Sequence, residues 1–292
     1  MKVEKNIIFE PTYKDGRIFV SPIIGCTGGC SYCYLKLQDI KKPSTISIDM
    51  NSIVNNNQFI PGKNGTIISI GAWGDIFQTD ESKDYSIKLI NCLTTLGNPI
   101  QFMSKYSLDE KSISSISQSI QYSHQLLYST TITTIDHWRK IEPHTDPPFK
   151  RLETCKCFSK NGVDCNVMIK PFLPGITDLE INKIAELLGK YNVGYCVIGR
   201  LYINNEIQKH LEKIGINYNI GSAISTLDCN GETGINSTDI QSLKKYLSCF
   251  EEYGIKAFLK SSCVNANLCH TNNPSGYFMN KNQYCIHCGN CI

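Results

Sequence analysis

Three thiols stand close together near the start of the chain: Cys26, Cys30 and Cys33, in GCTGGCSYCY, residues 25–34. Disulfides use cysteines in pairs, and a closed structural zinc site takes four ligands. The spacing C-x3-C-x2-C suits a centre that keeps one position open. A cubane iron–sulfur cluster normally takes four thiolates, so three leave one iron for an exogenous ligand. Gly25, Gly28 and Gly29 let the backbone turn sharply enough for the sulfurs to converge. A zinc knuckle or plain buried thiols are the alternatives. A knuckle needs a fourth ligand nearby, and the nearest histidine downstream is His124.

A second constellation ends the chain. Cys285, Cys288 and Cys291 are spaced C-x2-C-x2-C, close to a ferredoxin-like run, with Cys263 and Cys269 upstream. Four of these five would complete a second [4Fe–4S] cluster; a structural zinc held by four cysteines is the alternative. The chain has 15 cysteines. The N-terminus has no apolar stretch of signal-peptide type and no apolar run approaches 18 residues, so a cytoplasmic, non-membrane protein with reduced thiols is expected. Cys92, Cys155, Cys157 and Cys249 fall in predicted helices, and Cys165 and Cys196 near strand starts, where they read as small apolar filler.

These sulfurs need a scaffold. At 292 residues, with 41% hydrophobic residues, the chain can bury a sizeable core. Its net charge of +3 neither argues for a nucleic-acid partner nor excludes one. Periodicity predicts strands at 17–24, 66–73, 100–106, 124–133, 165–173 and 194–203. Helices are predicted at 47–59, 84–97, 109–120, 149–162, 178–191 and 205–215. Six βα units in a row predict an α/β fold: a partial (β/α)6 TIM-like barrel, with a doubly wound sheet as the alternative. Beyond 216 the pattern loosens; a further helix is expected over 237–254. After Lys260 the chain turns rich in Asn, Gly and Cys, which predicts a small Cys-rich C-terminal extension held by a metal centre. The expected organisation is an N-terminal extension (1–16), the barrel (17–216), a strand and helix packed on it (217–260) and the Cys-rich segment (261–292).

The cysteine loop after the first strand of a βα-repeat chain resembles the radical S-adenosylmethionine (SAM) superfamily. GCTGGCSYCYLKLQ is similar to the branch that includes spore photoproduct lyase and DNA-repair photolyase-like relatives. GDIFQTDE (74–81) resembles that branch's D-P-Y-Q-x-x-E segment, with Ile76 where proline is usual. SKYS (104–107) resembles its T-K-S. TITTIDHWRKIEPHTDPPFKRLE (131–153) and KPFLPGITD (170–178) resemble two further segments. The resemblance spans roughly residues 17–180. It implies that SAM chelates the open iron, that one electron splits its S–C5′ bond, and that a 5′-deoxyadenosyl radical abstracts hydrogen from a substrate. It also implies that Tyr32 lies near the adenine, that Lys105 reaches the SAM carboxylate, and that Gly71 to Asp75 face the SAM amino group. The Cys-rich tail departs from spore photoproduct lyase and puts a direct transfer of lesion repair in doubt.

Other polar residues fit such a site. Asp75 is an acceptor for an ammonium, or else a helix N-cap. Ser129 and Thr131, two apart on one strand, share a face and are placed to bond ribose, or reflect β-propensity alone. Lys170 and Arg200 are charges within otherwise apolar strands, a costly arrangement that suggests a functional role. Glu142 and Arg151 pair with each other or with substrate. Cys229, in the loop STLDCNG, is placed to donate hydrogen to a substrate radical.

The expected activity is therefore radical SAM catalysis on an unidentified peptide or small metabolite. Its one-electron reductant would be a flavodoxin or ferredoxin, and the tail cluster would relay electrons or bind substrate. The alternatives are a lyase repairing nucleic-acid lesions, and a non-catalytic electron-transfer or metal-binding protein.

Overall fold

Short runs of β-branched and apolar residues become the strands of one large sheet. The computed structural model describes residues 11–14, 17–37, 43–218, 226–229, 232–236 and 240–269. Strands β1 (Thr12–Lys14) and β2 (Arg17–Val20) form an antiparallel pair, and β3 (Ile23–Ile24) pairs with β4 (Ser44–Thr45). Then β5 (Ile67–Ile70), β6 (Ile100–Met103), β7 (Leu126–Thr131), β8 (Asp164–Ile169) and β9 (Tyr195–Ile198) follow, all parallel to β2. The eight-stranded order is β1-β2-β5-β6-β7-β8-β9-β13, with β13 (Lys256–Phe258) parallel to β9. Helices α1 (Met50–Val54), α2 (Asp80–Thr94), α3 (Glu110–Ser117), α4 (Trp138–Ile141), α5 (Pro148–Lys160), α6 (Thr177–Lys190) and α7 (Asn205–Lys213) fill the connections. Sequential parallel strands joined through helices make a partial TIM-like barrel, as the βα alternation predicts.

Side-chain alternation sorts the two faces of the sheet. Ile18, Ile68, Ile70, Phe102, Tyr128, Val167 and Cys196 face outward and share one core with Ile90, Leu152, Phe158 and Ile184 of the helices. Phe102, Tyr128 and Phe158 form its aromatic centre, with ring centroids 4.7–5.6 Å apart. On the inner face Leu127, Met168, Val197 and Phe258 pack against Cys263, Val264, Leu268 and Cys269 of α10 (Ser261–Cys269). A polar patch shares that face. Ser129 accepts hydrogen bonds from Gln101 Nε2 at 2.9 Å and from Asn166 Nδ2 at 3.3 Å.

Several expectations are corrected. The segment after Lys260 does not start as a loose tail: α10 buries seven of its nine residues. Its Val264, Ala266 and Leu268 are apolar enough to fill the barrel, which the surrounding Asn and Ser mask in the sequence. Strand β13 was missed because its three residues, KAF, show too little alternation. The helix expected over 237–254 is broken into α8 (Ile240–Leu243), a 3-10 turn at Lys244–Tyr246 and α9 (Ser248–Glu251). Gly254 does terminate it, at φ +70°. The helix over 47–59 shrinks to α1, since the Asn-rich stretch after Val54 favours turns. The strand at 194–203 splits into β9 and β10 (Tyr202–Ile203), the latter in a separate sheet ordered β10-β12-β11. Cys229 ends strand β11 (Thr226–Cys229) and pairs with Glu232 of β12 (Glu232–Asn236), rather than lying in a loop. The two intervening residues are Asn230-Gly231, the strongest short-range hairpin signal. Cys285, Cys288 and Cys291 lie outside the described residues.

Candidate functional site

The cysteine loop leaves the top of β2 and is held by main chain. Gly25 and Gly29 take φ of +85° and +65°, which side chains disfavour. Gly25 N donates to Trp73 O at 2.8 Å, Ser31 N to Ile141 O at 2.9 Å, and Gln78 Nε2 to Gly25 O at 3.0 Å. A Cβ on Gly28 would stand 3.3 Å from Cys26 Sγ and 3.8 Å from Cys30 Sγ, so both sulfurs border the space that this glycine leaves. Cys33 lies within electrostatic range of both.

Burial pushes the Cys30 thiol up to about 12 and raises Cys26; Lys105 pulls both down. Such thiols stay protonated until a metal's charge displaces the proton. Among the described residues no three His, Cys, Asp or Glu side chains stand close enough to hold a single metal ion. Three cysteines on one loop could hold a cluster in which each thiolate takes its own iron.

Beside the cysteines runs the turn after β5. Gly71 has φ +100°, and a Cβ there would meet Met103 O at 3.0 Å. At Gly74 a Cβ would meet Gly25 O at 2.6 Å and Ile23 O at 2.7 Å, so only glycine fits against the cysteine loop. Asp75 accepts from Phe77 N at 3.1 Å, Ser104 Oγ at 2.5 Å and Lys105 N at 2.7 Å. Burial raises its carboxyl despite these three bonds. Asp75 is not a helix N-cap: Thr79 caps α2 through a reciprocal pair with Ser82. Instead it fastens the end of β6, where Lys105 begins.

Beneath lies a buried charge network. Arg151 is fully buried on α5. It donates to Asp146 O at 2.6 Å, to Thr131 O at 2.6 Å and to Thr145 Oγ1, and pairs with Glu142 Oε2 at 2.7 Å. Glu142 Oε1 accepts from Tyr32 OH and lies 3.9 Å from Lys105 Nζ. Burial alone would raise the Glu142 carboxyl; Arg151 and Lys105 outweigh it and hold the group below its ordinary value. The Lys105 ammonium stands 5.5 Å above the Tyr32 ring.

No protein-family model matches the chain. Curated relatives include the uncharacterized protein Mb2609c of Mycobacterium bovis and Rv2578c of Mycobacterium tuberculosis. Each is 22% identical over 175 residues, which cover 56% of this chain and 51% of theirs. The chain thus spans about half the length of the curated relatives it matches. Among solved structures, spore photoproduct lyase complexed with dinucleoside spore photoproduct superposes with a TM-score of 0.64 at 14% identity, over 87% of this chain and 79% of that one. The fold is that of spore photoproduct lyase. Streptococcus suis SuiB bound to S-adenosylmethionine matches with a TM-score of 0.53 at 12% identity, over 86% of this chain and 51% of its own. The resemblance expected over residues 17–180 is met at the level of fold.

On this spore photoproduct lyase fold, Cys26, Cys30, Cys33, Tyr32, Gly71, Asp75 and Lys105 gather at one end of the barrel, where the strands terminate. Thr131 lies on the same strand end, its carbonyl held by Arg151. Ser129 sits deeper, fully buried, with Gln101 and Asn166 already bonded to its oxygen. Cys263 and Cys269 are brought not to this site but to the apolar inner face. There Cys269 Sγ donates to His124 O at 3.1 Å, and burial pushes it up to about 12. Sequence reasoning missed Gln78, which accepts from Thr27 N at 2.8 Å and so clamps the cysteine loop from both sides. It also missed Gln101 and Asn166. Amides inside apolar strands were the signal available.

Proposed function

We propose that this chain is a radical SAM enzyme. The observation that carries the reading is a glycine-shaped loop of three cysteines at the strand ends of a partial barrel, with Gly71–Asp75 and Lys105 beside it. When bound, a [4Fe–4S] cluster with SAM on its open iron supplies one-electron cleavage to a 5′-deoxyadenosyl radical. Cys26, Cys30 and Cys33 hold the cluster. Gly71, at φ +100°, lets the turn pack against Met103 and present its backbone to the SAM amino end, and the remaining acceptor capacity of Asp75 takes the ammonium. Lys105 exchanges its distant Glu142 partner for the SAM carboxylate, and Tyr32 stands beside the adenine. Thr131 lies at the strand end where a ribose hydroxyl would reach; Ser129, if it contributes, does so only by donating, since its lone pairs are taken.

Further parts of the reading rest on sequence. Cys285, Cys288 and Cys291, with an upstream cysteine, carry a second cluster or a zinc. Of the two upstream candidates, Cys269 ends α10 and adjoins the tail, while Cys263 reads as filler on the inner face. Cys229 donates hydrogen to a substrate radical, and a flavodoxin or ferredoxin in the cytoplasm supplies the electron. Anaerobically reconstituted protein given dithionite and SAM should release 5′-deoxyadenosine. If Cys30→Ala releases as much as wild type, the proposal is wrong.

A further inference from the structure

A polar layer crosses the inside of the barrel where apolar side chains would pack. Gln101, Ser129 and Asn166 stand on three adjacent strands, β6, β7 and β8, each on the inner face and each fully buried. Gln101 Nε2 and Asn166 Nδ2 both donate to Ser129 Oγ, at 2.9 Å and 3.3 Å. Both lone pairs of Ser129 are therefore taken, and its hydroxyl proton is left to donate. The carbonyl ends of the two amides, Gln101 Oε1 and Asn166 Oδ1, are buried without a hydrogen-bond partner among the described residues. An amide's nitrogen and oxygen are about 2.2 Å apart, so both oxygens lie within about 6 Å of Ser129 Oγ. Turning either amide over only exchanges the atom that is left unpaired. Ser69 Oγ, opposite Gln101 across β5 and β6, is buried and unpaired as well. Helix α10, which packs on this face, adds Asn265 Oδ1.

We propose that Gln101, Ser129 and Asn166 bind a carboxamide group of the substrate. Burying polar atoms without partners is costly, and folded proteins satisfy nearly all of them with protein, water or ligand. The fold itself has no need of them: leucine or methionine at 101 and 166 would fill the same space, as Leu127, Met168 and Val197 do on this face. What the layer lacks is two N–H donors for its carbonyls and one acceptor for the Ser129 proton. A carboxamide carries that set on one planar group. A carboxylate brings no donor and would face two carbonyl oxygens. An ammonium brings no acceptor, and its charge would find no carboxylate in the layer. Met103 and Met168 stand two residues further along β6 and β8 on the same face, between the layer and the strand ends that carry the cysteine loop. Their unbranched thioethers can swing aside for a group this small. Toward the strand starts, Leu127 shares an apolar cluster with Val264 and Leu268 of α10. The way in is thus from the cysteine loop's end. The assignment of the carboxamide to a substrate rests on the radical SAM reading; the binding site itself does not.

The test is saturation-transfer NMR on the full-length, anaerobically reconstituted protein with propionamide and with butanone, in which a methyl group replaces the amide nitrogen and its two hydrogens. Propionamide should bind saturably, at a roughly millimolar constant for so small a molecule, and about tenfold or more tighter than butanone. The triple variant Gln101→Met/Ser129→Ala/Asn166→Leu replaces every member of the layer by an apolar group, so no partner is left stranded. Its preference for propionamide over butanone should vanish. If that variant does not fold, Gln101→Met alone takes its place and should weaken propionamide roughly five- to tenfold. No saturable binding of propionamide, equal binding of butanone, or a preference that survives in the variants overturns the proposal. Wild-type protein that prefers propionamide but yields no 5′-deoxyadenosine from SAM and dithionite would overturn the proposed function and leave the carboxamide site standing.

Discussion

Replacing Arg151 with methionine removes the cation at the centre of the buried network. The side chain is fully buried, so methionine keeps much of its bulk while deleting every polar contact. Glu142, itself 1% exposed, loses its 2.7 Å partner and keeps only Tyr32 OH and a lysine 3.9 Å away. The carbonyls of Thr131 and Asp146 and the hydroxyl of Thr145 lose a donor as well. Removing one partner of a buried ion pair costs about 3–5 kcal/mol. For a domain of this size that lowers the melting temperature on the order of 10 °C. Circular dichroism melts of the reconstituted protein measure it. Acid provides an independent check. The folded Glu142 carboxyl lies below its ordinary value, so its stabilisation is complete above about 4.5, the unfolded value, and is lost as pH falls from there through the folded value. Arg151→Met should flatten that part of the stability profile. A variant that melts within about 1 °C of wild type and keeps the same acid limb would refute the reasoning.

Gly74→Ala forces a methyl into the carbonyls of Gly25 and Ile23, so iron content after anaerobic reconstitution should fall well below wild type while the far-ultraviolet spectrum is kept. Lys105→Met should raise the KM for SAM more than it lowers kcat, because it removes a contact made in ground and transition states alike.

The barrel was legible because its signals are redundant. Each of Ile67–Ile70, Leu126–Thr131 and Asp164–Ile169 is a short stretch of apolar and β-forming residues that precedes a helix. The cysteine loop was legible because three thiols and three glycines stand within nine residues directly after a strand. Tertiary packing decided the rest. Val264 and Leu268 carry the burial of α10 among polar neighbours that advertise a tail, and nothing local reveals that a barrel interior awaits them. Glu142 and Arg151 were visible as a pair, but their hold on Tyr32 and Lys105 arises from folding that joins positions 32, 105, 142 and 151. Asp75 looked like a helix cap because its Asx-turn bond to Phe77 is the same local device that caps use.

Three consecutive residues act as a ruler. Trp73 takes the hydrogen bond of Gly25, Gly74 touches the carbonyls of Ile23 and Gly25, and Asp75 clasps the amide of Lys105. A chain advances at most about 3.3–3.6 Å per residue, so the span from the cysteine loop to the lysine is set by roughly 10 Å of backbone. Distances read along so short a covalent segment do not change when the barrel breathes. The cysteine loop and Lys105 are thus held in fixed relation to each other, whatever the rest of the barrel mouth does.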